Sequence, residues 1–122
     1  MNHHDEEFLA KAAAAKAKVK QVAPDQVDSD AENGSIVIDV REPEEYEVSQ
    51  VSGAINISLS TITEEIQKVI PDKSTPIICY CNGGNRGSLA AVELQELGYT
   101  NVSSIEGGLK AYQSLTQESD QS

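Results

Sequence analysis

The sequence predicts an α/β domain built on a mainly parallel sheet. Ile36-Val37-Ile38-Asp39-Val40 and Ile77-Ile78-Cys79-Tyr80 are short, near-continuous apolar runs. That is the pattern of strands buried on both faces. Helical patterns alternate with them: Ile62, Ile66, Val69 and Ile70 share one face before the second run, and Leu89 to Leu97, stopped by Gly98, follows it. At 122 residues the chain can enclose one core and not two.

Taken in order, residues 1–18 read as a helical extension. Asp5, Glu6 and Glu7 precede Lys11, Lys16 and Lys18, an order that complements the helix dipole. Phe8, Leu9, Ala12, Ala13 and Lys16 give it a thin apolar face. His3 and His4 have no companion ligands at metal-binding spacing. Residues 19–115 form the domain. Val19 to Val22 is a short first strand, Pro24 opens a helical turn, and Asp28 to Gly34 is a polar connection ending in the turn signal Asn33-Gly34. Glu42 to Glu47 starts a short acidic helix and Ala54 to Ile57 is a brief strand. A helix follows over Ile62 to Val69, capped by Ser60 or Thr61 and broken at Pro71. Val102 to Ile105 is the last strand, and Gly107-Gly108 turns the chain into a helix from Leu109 to about Leu115. Residues 116–122 are expected to be a disordered tail.

Bulk properties exclude several functions. A net charge of −11 argues against nucleic acid and against anionic membrane surfaces. No apolar run is long enough to span a bilayer. Two cysteines one residue apart cannot staple a secreted fold, so a cytoplasmic setting with free thiols is expected.

The chemistry concentrates in Cys81-Asn82-Gly83-Gly84-Asn85-Arg86-Gly87. This segment lies at the carboxyl end of a strand, where open α/β sheets build their sites, and feeds the N-terminus of a helix. Inward N–H groups from Asn82 to Gly87 and the helix dipole favour an anion, and a thiolate is one. Free thiols titrate near about 8.5, so a nucleophile working at neutral pH needs such help. Cys81 is expected to be an exposed nucleophile. Arg86 is expected to face inward or toward substrate, and Cys79 to be a small core residue. A metal pair at the two cysteines would need two further ligands.

The loop, with the hydrophobic strand before it, resembles the active site of the rhodanese (sulfurtransferase) family, in particular its single-domain thiosulfate sulfurtransferases. Ile38 to Tyr46, Gly53 to Ile57 and Ile105 to Tyr112 resemble further family segments, covering roughly residues 20–115. The resemblance implies a five-stranded sheet with helices on both faces. It also implies Cys81 as a catalytic residue that cycles through a persulfide without metal or organic cofactor. Asn82 to Gly87 would bind the donor, and Asp39 and Arg41 would brace the site. The implied donor is thiosulfate or a persulfide. The acceptor is a thiol or cyanide, and a protein acceptor stays open. The C-x4-R spacing matches the sulfurtransferases, whereas phosphatases and arsenate reductases of the family have one more residue. The loop also lacks the Cys-Gly-Ser/Thr-Gly-x-Thr pattern of mercaptopyruvate-specific relatives. Glu106-Gly107-Gly108 resembles a turn at the family's active-site rim. Departures are Gln50-Val51-Ser52 where the family often has His-Ile-Pro, Gly87 where Ser, Thr or Ala is usual, and Tyr112 in place of a common Trp. A persulfide relay or redox-responsive binding module, with little small-molecule turnover, is the alternative.

Overall fold

A computed structural model describes the backbone of residues 3–121 and the side chains of residues 6–115. The expectation for His3 and His4 falls on side chains outside that range, and the last helix runs in the backbone to Gln121, past its expected end near Leu115 and into the stretch expected to be a disordered tail. Five parallel strands, β1 (Lys20–Val22), β2 (Ile36–Asp39), β3 (Ile55–Asn56), β4 (Ile77–Tyr80) and β5 (Val102–Ile105), form one sheet in the order β1-β5-β4-β2-β3. Six helices complete the fold: α1 (His3–Lys18), α2 (Val27–Glu32), α3 (Pro43–Val48), α4 (Ile62–Val69), α5 (Asn85–Glu96) and α6 (Gly108–Gln121).

β4 is central, and every one of its residues is buried. Successive side chains on a strand point to opposite faces. Ile77 and Cys79 therefore join one core with Ile38, Ile62, Ile66, Ala90 and Leu94, under α4 and α5. Ile78 and Tyr80 join the other with Val22, Val27, Val37, Ile105 and Leu109, under α2 and α6. Helices cover both faces. This two-sided burial explains why β2 and β4 read as unbroken apolar runs.

Some local expectations are corrected. The polar stretch from Asp28 carries helix α2, entered through a 3-10 turn at Pro24–Gln26 and held down by the buried Val27. On α4 the buried stripe is Ile62, Ile66 and Ile70, spaced by four, while Val69 falls off it and is 48% exposed. On α1 the buried positions are Ala12 and Ala15, with Val19 just beyond, rather than Phe8 and Leu9, which are exposed. Alanines let two helix backbones approach closely, and α1 packs along α5. No helix among the described residues is long and apolar enough to cross a membrane.

Candidate active site

Three connections converge at the carboxyl ends of the central strands: residues 40–42 after β2, 81–84 after β4 and 106–107 after β5. Cys81 is the first residue past β4. Its sulfur accepts a hydrogen bond from the Gly84 amide at 3.1 Å. Gly84 caps α5 with φ +107°, a conformation that glycine adopts without strain. The amides of Asn85, Arg86 and Gly87, at the start of α5, find no protein acceptor among the described residues. Those orphan donors sit at the positive end of the α5 dipole and are available to an anion. Of the predicted inward amides, Gly84 alone bonds the sulfur directly. Cys81 is also not exposed as expected: it is 2% accessible. The turn closes around it, and the carbonyls of Cys81 and Asn82 accept the Leu109 and Lys110 amides at 2.8 and 3.1 Å.

Asp39 and Arg41 form a buried pair, 0% and 3% accessible. The Arg41 guanidinium donates to both Asp39 oxygens, with Nη2 2.7 Å from Oδ2, and also to the Ser49 carbonyl. The Asp39 bonds, above all, hold the Arg41 pKa above its ordinary value. Arg41 Nη1 reaches Asn82 Oδ1 at 3.0 Å, and the Asn82 amide donates to Glu45 Oε2 at 3.3 Å. Glu45 in turn receives both Arg86 terminal nitrogens, at 2.9 and 3.1 Å. The sequence Asp39–Arg41–Asn82–Glu45–Arg86 is thus one continuous polar chain around the Cys81 loop. Within it Asn82 spends its side chain on Arg41 and Glu45. Arg86 lies near Cys81 but is already ion-paired.

Glu45 was legible only as part of an acidic helix, and its partner stands 41 residues away. A long-range bidentate arginine pair leaves no local signature. The Arg86 bonds pull the Glu45 pKa down to about 2 from 4.5. A depressed carboxyl stabilises the folded state above its unfolded pKa, and the contribution disappears as pH falls from about 4.5 to about 2. Both partners are 32% accessible, so solvent screening reduces the effect to about 1 kcal/mol. Glu45→Gln should accordingly lower the melting temperature at pH 6. The gap to wild type should narrow below pH 4.5 and close only as the pH falls through about 2, as thermal melts across that range will test.

Gly87 also has a structural reason. A methyl group there would stand 3.0 Å from the Tyr80 Cα and 3.1 Å from the Ser104 Oγ, so the bare backbone lets α5 pack against β4. In the departing segment Val51 is buried and donates its amide to the Tyr80 hydroxyl at 3.0 Å, while the Tyr46 hydroxyl donates to the Ala54 carbonyl. Tyr112 is tied to Asp28 at 2.7 Å. Cys79 is fully buried, and burial pushes its thiol up to about 12. A neutral alkylating reagent at pH 8 should therefore modify Cys81 and spare Cys79, giving one adduct by intact mass and none in Cys81→Ser. Labelling of Cys79 at a comparable rate would contradict its placement.

A cysteine at the carboxyl end of a central parallel strand, wrapped by a glycine turn that opens a helix, defines an α/β domain with a buried thiol held at a helix N-terminus. Residues 23–115 match the family model of the rhodanese-like domain, and the chain belongs to that family. It is 47% identical over 73 residues to the thiosulfate sulfurtransferase PspE of Escherichia coli, covering 60% of this chain and 69% of that protein. It is 30% identical over 96 residues to the thiosulfate sulfurtransferase GlpE of Pseudomonas aeruginosa, covering 79% and 86%. Among solved structures, a rhodanese with anions from E. coli superposes with a TM-score of 0.59 at 44% identity, over 63% of this chain and 89% of that one. Helix α1 lies outside the matched residues.

Proposed function

We propose that this rhodanese-type enzyme transfers a sulfane sulfur from thiosulfate or a persulfide donor to a thiol or cyanide acceptor through a Cys81 persulfide. The observation that carries this reading is the Gly84 amide on the Cys81 sulfur, with the unpartnered amides of Asn85, Arg86 and Gly87 beside it. The Cys81 thiolate attacks the outer sulfur of thiosulfate, the S–S bond of the donor breaks, and sulfite leaves with the electron pair. The persulfide anion that forms is stabilised by the same donors, in the manner of an oxyanion hole. An acceptor thiolate or cyanide then takes the terminal sulfur and returns the Cys81 thiolate. No metal or organic cofactor enters these steps. The amides of residues 82–87 act on the donor's anionic end, while Asp39, Arg41 and the Asn82 side chain hold the loop. A protein acceptor and a reducing, cytoplasmic setting are compatible with this chemistry. The relay alternative differs in predicting ready persulfide formation with slow turnover of small donors.

The test is intact mass after incubation with thiosulfate, followed by cyanide. Wild type should gain about one sulfur atom and lose it to cyanide, and Cys81→Ser should gain none. No adduct on a wild-type protein whose Cys81 still alkylates would end the thiosulfate reading. A protein persulfide donor would then decide for or against the relay.

A further inference from the structure

The chain carries nine lysines and arginines against twenty carboxylates, and only two of the nine are arginines. Both arginines stand at the active site and both are neutralised there, Arg41 by Asp39 and Arg86 by Glu45. An anionic donor approaching a protein of net charge −11 thus meets orphan amides but no unpaired arginine. Helix α1 supplies a cation at this point. Ala12 and Ala15 bury its inner face, and Lys16 follows at the edge of that face. The Lys16 Cε lies 3.7 Å from where a Cβ on Gly84 would stand, and the Gly107 amide nitrogen lies 3.8 Å from the same position. Gly84 is the residue whose amide holds the Cys81 sulfur. Lys16 is exposed and makes no ion pair among the described residues, whereas Lys68 is paired with Glu65 and Lys73 donates to the Leu97 carbonyl.

We propose that Lys16, carried by a helix outside the matched domain, is the cation that selects and binds anionic donors at the Cys81 loop. The inference rests on the sulfur-transfer reading for the identity of the donor, but not for the existence of the cation site. Its stem reaches Gly84, the residue that caps α5, and the side chain is otherwise exposed. Charge attraction scales with ligand charge, so a dianion such as thiosulfate gains about twice the free energy of a monoanion. Such a group is screened at high salt, where the Debye length shrinks to about 3 Å.

The experiment compares Cys81 alkylation by iodoacetate and iodoacetamide, similar reagents with and without charge, in the full chain. In Lys16→Ala the iodoacetate rate should fall about threefold at low salt while the iodoacetamide rate stays unchanged. The thiosulfate kcat/KM should fall about tenfold, mainly through KM. Lys16→Arg should restore both, and Lys18→Ala, two residues on and lining the groove between α1 and α5, should change neither. At 1 M salt the differences should vanish. An unchanged reagent ratio in Lys16→Ala overturns the proposal, and so does an equal loss with both reagents, which would make Lys16 a structural prop. If the ratio shifts but wild type turns over no thiosulfate, Lys16 stands and the donor reading falls. If thiosulfate is turned over while the ratio is unmoved, the reverse holds.

Discussion

Gly108→Ala should destabilise the protein by about 3 kcal/mol or more, lowering its melting temperature by roughly 10 °C. Gly108 has φ +65°, where a side chain costs about 1–2 kcal/mol on its own. The added methyl would also stand 2.5 Å from the carbonyl oxygens of both Cys81 and Asn82. Those carbonyls cannot retreat freely, because they accept the Leu109 and Lys110 amides. Relieving the clash means lifting α6 from the loop and giving up hydrogen bonds that contribute about 1 kcal/mol each. Gly34→Ala separates the two causes. Its φ is +110° but nothing lies within 4 Å of the added atom, so it should cost only the backbone strain, about 1–2 kcal/mol. A Gly108→Ala protein melting as high as Gly34→Ala would show that the approach of α6 to the loop is not tight. The same substitution should slow persulfide formation, since it displaces the residues that carry the sulfur.

How much of this was legible depends on the range of the interactions. The strand and helix flanking Cys81 announce themselves, because a run such as Ile77 to Tyr80 has one stable fate in a sheet covered on both sides. Gly98, with φ +105°, marks the end of the following helix for an equally local reason. The α/β class with a mainly parallel sheet followed from several such segments in order; its rhodanese-like version came from the resemblance of the motifs, and the family match agrees. Finer assignments failed where two neighbouring residues were equally apolar. Val69 and Ile70 are both plausible core residues, and only the packing of α4 on the sheet chooses between them.

The position of Cys81 at the end of β4 was legible, and the electrostatics around it were not. Arg86 could be placed near the loop by spacing, but not its partner, since Glu45 comes from a helix that follows a different strand. Within Glu42 to Glu47 nothing marks Glu45 as the carboxylate that will meet an arginine. The burial of Cys81 was missed for a related reason: it depends on α6 closing over the turn from another part of the chain.

Asp39→Ala should be the most damaging charge substitution, costing about 3–5 kcal/mol in a urea titration. It leaves the 3% accessible Arg41 guanidinium without its carboxylate, holding only the Ser49 carbonyl and Asn82 Oδ1. A guanidinium cannot shed its charge by losing a proton, so the loss should be nearly constant from pH 5 to pH 8. Arg41→Met makes the opposite break. The stranded carboxylate keeps the Arg41 backbone amide as a donor but loses its cation, so the loss should be of similar size. The double substitution Asp39→Ala/Arg41→Met should recover part of either loss, because two fitting apolar side chains avoid burying any charge. Stability and activity should separate in that double variant. With Arg41 gone, Asn82 keeps only Glu45, and the residue beside Cys81 is free to turn. Persulfide formation should therefore stay slow even where folding is regained. If the double variant recovers stability and transfers sulfur at the wild-type rate, the Asp39–Arg41 pair is a packing element of the β2 end and not a brace of the loop.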